Sequence, residues 1–448
     1  MNSEELIVLV PGAIITADAH DTILRKHAVV IRNGVIDAIT PLNQFVIPPG
    51  CELIMANHLT LIPGFIQTHI HLCQTLFRGM ADDLELLDWL QLRIFPYENA
   101  HNPASLRASA QLGLCELQMG GTTTLLDMGT LRHQETIFEE LTYSGIRAFA
   151  GKCMIDRNDL FPAFTATTKD ELTYTHELAK SFHNTEGGRI KYGFAPRFVL
   201  SCTPELLTET KGMMKDFEGS LYHTHSSENK GEIEEVRRLF GKENIRVFED
   251  LNILDEHTVL AHCVHLNEEE KQLMETSRAA VAHCPSSNMK LASGFAPIPE
   301  YLKRGIKVSL GADGAPCNNT LSAFTEMRLA GVIHKPRFGP TAMDAKTVFR
   351  LATIDGAKAL NIEHETGSIE IGKKADLVLL DLNGITHPIH DEDTALYSRI
   401  VYSSALDDVR FVMINGEWVV REGVSLKYDV EELRANAAAE LKALLGRV

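Results

Sequence analysis

Cysteine, long apolar runs and positive charge are all scarce in this chain. Its eight cysteines are scattered over 448 residues and include no Cys-x-x-Cys pair, which predicts reduced thiols rather than a disulfide framework. No apolar stretch reaches the length that spans a bilayer, and residues 1–5 are acidic where a signal peptide is basic. We therefore expect a cytoplasmic protein without a membrane partner.

The shortage of positive charge restricts the partners further. Lys and Arg number 43 against 60 Asp and Glu, which gives a formal net charge of −17. A phosphate surface would repel such a chain, so nucleic acid is excluded as a partner. With 44% hydrophobic and 23% charged residues, the composition is that of a globular protein and excludes disorder, collagen and coiled coil. A small neutral or cationic molecule is the favoured ligand.

Both ends of the chain predict β-structure. Asn33-Gly34 and Asn415-Gly416 each lie between apolar stretches, a pattern typical of two-residue hairpins. We therefore expect residues 1–60 and 369–425 to form one small composite β-sandwich domain. Residues 426–448 carry Glu, Leu, Ala and Lys at helical spacing and predict a terminal helix.

The middle of the chain, residues 61–368, alternates short apolar runs with longer amphipathic stretches, as strands each followed by a helix would. Eight such runs occur, at residues 64–70, 122–127, 147–153, 190–198, 220–225, 258–263, 279–284 and 307–312. Eight β/α units predict an α/β fold of the (β/α)8 TIM-barrel type. In that fold the active site lies at the carboxyl ends of the strands.

Almost every distinctive polar residue falls at the end of one of these runs. They are His69, His71, Asp127, Lys152, Arg197, His225, His262, His283 and Asp313. Residues two apart on a strand point to the same face, so His69 and His71 can bind one metal ion. A third imidazole and a carboxylate would complete a zinc or ferrous iron site that keeps room for water.

Each of these residues also has a structural explanation. His-x-His is more often surface polarity than a ligand pair, and His262 and His283 can be core histidines bonded to backbone. Asp313 can form a turn, and Asp127 can form a structural ion pair with Lys152. The combination favours a metal site, because the ends of different strands converge only at this face of a barrel.

The fifth run offers two histidines for the ligand role. His223 and His225 lie on the same strand face, but only His225 has a carboxylate, Glu228, three residues further on. That carboxylate can reach a water at the metal and transfer its proton. We therefore favour His225 as the ligand.

Five segments together resemble the amidohydrolase superfamily. They are residues 63–71 (PGFIQTHIH), 221–228 (LYHTHSSE), 261–263 (AHC), 283–288 (HCPSSN) and 311–314 (GADG). Within the superfamily they resemble the aminohydrolase branch, which holds deaminases of adenosine derivatives, guanine deaminase and s-triazine hydrolases. Residues 367–377 resemble that family's return into its β-sandwich, so the resemblance covers most of the chain.

The resemblance implies a metal centre and roles for its residues. One zinc ion per chain, or alternatively Fe²⁺, would be bound by His69, His71, His225 and Asp313. Glu228 would carry protons between water and the substrate ring, His262 would polarise the water or the tetrahedral oxygen, and Asp313 would take the water's proton. Members of the family are usually homo-oligomers, so we expect a dimer or tetramer.

Different motifs favour different substrates. Residues 76–79, 88–90, 96–98 and 311–319 are similar to deaminases of 5′-deoxyadenosine, 5′-methylthioadenosine and S-adenosylhomocysteine, in which the residue matching Glu98 binds ribose hydroxyls. Residues 151–153 and 195–198 resemble guanine deaminase, in which the residues matching Arg197 and Gln74 contact the purine. Phe198 and His283 complete the expected substrate contacts.

The resulting prediction is hydrolytic removal of the 6-amine from a 5′-modified adenosine. The alternatives are a deaminase of guanine or a related aminopurine and an s-triazine hydrolase of the ammeline type. A binuclear hydrolase with a modified Lys152 is a further enzymatic alternative. A binding protein that has lost its metal is disfavoured, because the chain keeps every expected ligand.

Overall fold

The computed structural model describes residues 5–390 and 392–448. Residues 1–4, which carry most of the acidic start of the chain, lie outside the described residues. None of the eight cysteines, all of which are described, forms a disulfide. In the described part of the chain, no helix combines the length and apolarity needed to cross a membrane.

A parallel eight-stranded barrel occupies the middle of the chain and confirms the predicted fold class. Its strands are Phe65–His71, Thr122–Asp127, Arg147–Ala150 continued by Cys153–Met154, Ile190–Pro196, Leu221–Ser226, Thr258–His262, Ala280–His283 and Lys307–Leu310. Neighbours along the chain are neighbours in the sheet. The short segment Asp313–Gly314 pairs with the first strand, so the barrel closes next to the predicted metal site.

Helices cover the outside of the barrel, which explains why the strands read as continuous apolar runs. Many begin at a side-chain cap; Asn102, Asn229 and Asn267 each form a capping box. The helices of the described residues are Leu86–Trp89, Phe95–Asn99, Pro103–Met119, Gln134–Ser144, Thr168–Phe182, Pro204–Met213, Lys230–Phe240, Asn244–Asp250, Glu268–Ser277, Pro285–Lys290, Ile298–Lys303, Ala315–Asn318, Ala323–Ile333, Lys335–Phe338, Ala345–Leu351, Ile354–Ala359, Asp393–Ser398 and Val430–Leu445.

Both ends of the chain combine in one nine-stranded sheet. Its strands are Leu6–Ile15, Ile23–Arg25, His27–Arg32, Val35–Pro41, Glu52–Pro63, Leu377–Leu380, Val409–Ile414, Glu417–Arg421 and Val424–Ser425. The two ends join where Glu52–Pro63 pairs antiparallel with Leu377–Leu380. Both predicted hairpins are present, and all four of their turn residues have positive φ, as this turn requires.

The terminal sheet leads directly into the first barrel strand. Only Gly64 separates Glu52–Pro63 from Phe65–His71, and a Cβ on Gly64 would lie 2.1 Å from Oγ1 of Thr123. A glycine therefore lets the first two strands approach closely at this entry. The terminal helix Val430–Leu445 packs on the outside of the barrel, against Pro103–Met119.

Candidate active site

The first barrel strand brings two imidazoles to one carboxylate. His69 and His71 are both buried on this strand. Their Nε2 atoms lie 3.2 and 3.3 Å from Oδ1 of Asp313. Asp313 is in reach because its segment pairs with the first strand at Ile70. The spacing predicted from the sequence thus places all three side chains together.

His225 reaches the same point from the fifth strand. Its Nδ1 lies 2.7 Å from the carbonyl oxygen of Arg197, so Nδ1 carries the hydrogen and Nε2 keeps a free lone pair. That Nε2 lies 3.3 Å from Nε2 of His71. Nε2 of His223 instead lies 2.8 Å from Nδ1 of His69, whereas Asp313 lies next to Nε2 of the same ring.

The four side chains form one compact group, called the ligand group below: His69, His71, His225 and Asp313. Their ligand atoms all lie within 4.8 Å of one another. A tetrahedral ion with bonds of about 2.0–2.1 Å has ligand separations of roughly 3.3–3.4 Å. The three distances of 3.2–3.3 Å match this spacing.

The chemistry of the ligand group also fits a divalent cation. Burial lowers the pKa of His69 to about 4 and holds the pKa of His225 well below its usual value. Both imidazoles are therefore neutral, the form that binds metal. Nε2 of His69 is buried without a hydrogen-bond partner. A buried nitrogen without a partner is costly, and a cation among these atoms would remove that cost.

Asp313 is prepared for the anionic form. Burial acts to raise its pKa, but the polar contacts with His69 and His71 and the proximity of His262 hold the pKa well below the usual range. Oδ2 of Asp313 accepts a hydrogen bond of 2.6 Å from Ser287, and Oδ1 accepts one from the backbone of Gly314. The side chain is therefore fixed from two sides.

Glu228 and His262 lie next to the ligand group. Nε2 of His262 is 3.5 Å from Oε2 of Glu228 and 3.8 Å from Oδ2 of Asp313, and its Nδ1 is 2.9 Å from Oδ1 of Asn288. Burial raises the pKa of Glu228 to about 7, so this carboxyl can both give and take a proton near neutrality. Burial acts to lower the pKa of His262, yet the charges of Glu228 and Asp313 raise it.

A cavity opens beside these residues. Its polar side comprises His71, Arg197, His225, Glu228, Glu232, His262 and Asp313, and its apolar side comprises Leu86, Trp89, Leu90, Phe198 and Leu291. A pocket with an apolar wall and a few convergent polar groups is typical of a small-molecule site. The sequence did not identify the leucines or Trp89 as cavity residues, because nothing in the spacing of apolar residues distinguishes a cavity wall from a core.

Only some of the residues predicted to contact the substrate line the cavity. Arg197 and Phe198 line the cavity. Glu98 and Gln74 are buried next to Arg197: Oε2 of Glu98 is 2.8 Å from Nη1 of Arg197, and Oε1 is 2.7 Å from Nε2 of Gln74. His283 does not line the cavity, and its Nε2 lies 3.4 Å from Nε2 of His334.

The suggested ion pair between Asp127 and Lys152 is wrong. Nζ of Lys152 lies 2.6 Å from both carboxylate oxygens of Glu171, on an outer helix. Asp127 instead accepts a hydrogen bond of 2.8 Å from the backbone of Leu72. The sequence pattern did not identify Glu171, because this residue approaches Lys152 from an outer helix and no local spacing connects the two.

The chain belongs to the amidohydrolase family, whose model matches residues 60–419. It is 35% identical over 387 residues to a 5-methylthioadenosine/S-adenosylhomocysteine deaminase of Thermoanaerobacter pseudethanolicus, covering 86% of this chain and 87% of that protein. It is 33% identical over 431 residues to a 5′-deoxyadenosine deaminase of Methanosphaera stadtmanae, covering 96% and 97%. A zinc-bound crystal structure of an adenosine deaminase from Xanthomonas campestris superimposes with a TM-score of 0.90 at 28% identity over 98% of each chain. The protein is therefore a hydrolase that acts on C–N bonds, and the resemblance inferred from the motifs is confirmed.

Proposed function

We propose that this enzyme removes the 6-amine of a 5′-modified adenosine by hydrolysis, with one zinc ion per chain. The observation that carries the proposal is the ligand group, at tetrahedral spacing beside a cavity that also holds the Glu228 carboxyl. The relatives named as deaminases of 5′-deoxyadenosine, 5′-methylthioadenosine and S-adenosylhomocysteine support this substrate class.

Each residue of the site has a separate role in the proposed reaction. The ligand group would hold the zinc ion, which supplies a hydroxide nucleophile because it lowers the pKa of bound water to roughly 7. Asp313 accepts the proton of the attacking water, and Glu228 donates a proton to the ring nitrogen beside the reacting carbon. His262 donates a hydrogen bond to the oxygen that adds to this carbon. The amine then takes up the proton held by Asp313 and leaves as ammonia. The added hydroxyl group returns its remaining proton to Glu228, and its oxygen stays on the ring as the carbonyl oxygen.

The proposal of one ion per chain rests on two observations. A binuclear site of the alternative type needs Lys152 as a modified bridging ligand, and Lys152 is held by Glu171. The second possible ligand cluster, His71 with Cys73 and Glu98, uses a carboxylate that already pairs with Arg197. We further propose a homodimer or homotetramer, as the family resemblance implies.

An ammonia-release assay tests the substrate class. The panel contains 5′-deoxyadenosine, 5′-methylthioadenosine, S-adenosylhomocysteine, adenosine, guanine and ammeline, and metal analysis accompanies it. We expect turnover of the nucleosides and about one equivalent of zinc, with activity lost on chelation and restored by zinc. Turnover of guanine or ammeline without turnover of any nucleoside would overturn the proposal.

Guanine deamination is the second candidate, and one observation favours it. Arg197 lines the cavity, and Glu98 accepts hydrogen bonds from both Arg197 and Gln74. Arg197 and Gln74 are the positions at which the sequence resembles guanine deaminase. In the same assay, guanine as the best substrate would establish this alternative.

A further inference from the structure

Glu98 is a buried carboxylate whose hydrogen bonds are made inside the protein. Its side chain has no exposed surface, and it is absent from the cavity lining. Oε2 accepts a bond of 2.8 Å from Nη1 of Arg197. Oε1 accepts bonds of 2.7 Å from Nε2 of Gln74 and 3.4 Å from Nη2 of Arg197. Both oxygens are therefore directed at protein donors.

Arg197 connects the cavity wall to the metal centre. Arg197 is one of the residues that line the cavity, and its guanidinium lies over the ring of Phe95, 5.1 Å from the ring centre. Its backbone carbonyl accepts hydrogen bonds from both Nδ1 and the backbone nitrogen of His225, at 2.7 and 3.0 Å. A displacement of Arg197 would therefore change both the lining of the cavity and the position of His225, a proposed metal ligand.

A buried guanidinium needs a counter-charge, because an unpaired charge in the interior costs several kcal/mol. Glu98 supplies that charge with two-point contact, which also fixes the plane of the guanidinium. Gln74 in turn fixes Glu98, and the space for Gln74 depends on Gly314, where a Cβ would lie 2.0 Å from Oε1 of Gln74. Arg197 has five N–H groups, so donors remain for a ligand in the cavity.

We propose that Glu98 is a positioning residue. It neutralises and orients Arg197, and Arg197 rather than Glu98 contacts the substrate. The contact between Glu98 and Arg197 does not depend on the proposed function. The measurements on nucleosides described below do rest on the proposed function. Direct contact between Glu98 and ribose hydroxyls, the role implied by the family resemblance, is the competing outcome.

The test compares Glu98→Gln with the wild type on substrates with and without ribose hydroxyls. 5′-Methylthioadenosine carries the 2′- and 3′-hydroxyls, and 2′,3′-dideoxyadenosine lacks both. A positioning role predicts the same loss of kcat/KM on both substrates, about 10- to 100-fold if one to two charge-assisted hydrogen bonds are lost. A loss confined to 5′-methylthioadenosine would overturn the proposal.

A double-mutant cycle with Arg197→Met supplies a second readout. If Glu98 acts through Arg197, the double variant has the same kcat/KM as Arg197→Met alone. Additive losses would contradict the proposal. Glu171→Gln is the matched control, because it breaks another buried carboxylate–cation pair, with Lys152, outside the cavity lining. It is expected to lower the unfolding temperature without an Arg197-dependent loss of activity.

Two further measurements keep the proposal testable. If Glu98→Gln does not fold, Gln74→Leu removes one donor from Oε1 of Glu98, and a smaller loss, equal on both substrates, is expected. If guanine is the substrate and nucleosides fail, the proposed function is wrong, but the role of Glu98 is still decided. Guanine has no ribose, so a loss of guanine turnover in Glu98→Gln supports positioning and an unchanged rate contradicts it.

Discussion

Each reacting side chain in the site is held by a second residue that has no reactive role of its own. The carbonyl of Arg197 fixes the tautomer of His225. Ser287 donates a hydrogen bond to Asp313, and Oδ1 of Asn288 accepts one from Nδ1 of His262. Such partners fix ring orientation and ligand basicity. Burial raises the pKa of the Glu228 carboxyl to about 7, near neutrality.

Replacement of Glu228 by Gln is therefore expected to remove proton transfer while keeping the metal. Glutamine has nearly the same shape but cannot exchange a proton, so kcat should fall about 10²- to 10⁴-fold. The measurement is steady-state deamination together with zinc content, which should equal that of the wild type. Glu234→Gln, at an exposed position of the following helix, is the control and should leave kcat unchanged. A Glu228→Gln enzyme with wild-type kcat would remove Glu228 from the mechanism.

The sequence could predict which residues come together at the site, but not the hydrogen bonds between them. His69, His71 and Asp313 were predictable because strand ends converge in a barrel, whatever the helices do. The bond between Glu98 and Arg197 joins residues 99 positions apart, and Glu98 lies on no strand end. Its partner depends on how the segment after the first strand folds back, which local pattern does not encode.

At the scale of elements, residues 86–94 form the larger part of the apolar wall of the cavity. Leu86, Trp89 and Leu90 of this segment line the cavity, whereas Leu92 is 52% exposed. The remaining lining residues provide one cation, Arg197, and it is already paired with Glu98. A negatively charged substituent on the substrate would therefore lose its hydration without gaining an unpaired cation.

This wall predicts a preference for short, uncharged 5′-substituents. S-Adenosylhomocysteine, with a carboxylate and an ammonium, is expected to have a kcat/KM at least about 10-fold below that of 5′-methylthioadenosine, since 1.4 kcal/mol of uncompensated desolvation suffices. Leu90→Arg supplies a cation at the cavity wall and should therefore bring the kcat/KM values for the two nucleosides closer together. Leu92→Arg should leave the ratio of these two values unchanged. Equal kcat/KM values of the wild type for both nucleosides would contradict this role of the wall.

The contact between the last and first barrel strands gives another prediction. A Cβ on Gly311 would lie 2.6 Å from the carbonyl oxygen of His69 and 2.9 Å from its nitrogen. Gly311→Ala should therefore displace a metal ligand, destabilise the fold by about 1–3 kcal/mol and lower zinc content. Gly212→Ala is the control, because nothing lies within 4 Å of its added Cβ and alanine is the better helix former. Thermal unfolding and metal analysis measure both, and retention of stability and zinc by Gly311→Ala would refute the close contact.

At the scale of the molecule, the eight barrel strands and the terminal sheet were predictable because their patterns are local. Each buried strand is a short apolar run between turn signals, and Asn-Gly in both hairpins specifies its own turn. Contacts between distant elements were not predictable. The two hairpin turns touch each other, since a Cβ on Gly34 would lie 2.3 Å from the carbonyl oxygen of Asn415, and no local pattern in either turn shows this.

The ligand group also connects distant parts of the molecule. Its members come from the first strand, the fifth strand and the segment that closes the barrel, so a bound ion cross-links the barrel at its closure. A ligand that binds only the folded state stabilises it by RT ln(1 + [L]/Kd), about 4 kcal/mol at a thousandfold excess over Kd. Removal of zinc with a chelator should therefore lower the unfolding temperature, and added zinc should restore it. His225→Ala should unfold at the temperature of the metal-free wild type and respond little to zinc, whereas a mutation of exposed His364 should preserve the full response. An unfolding temperature of the wild type that chelation leaves unchanged would show that these four side chains hold no ion.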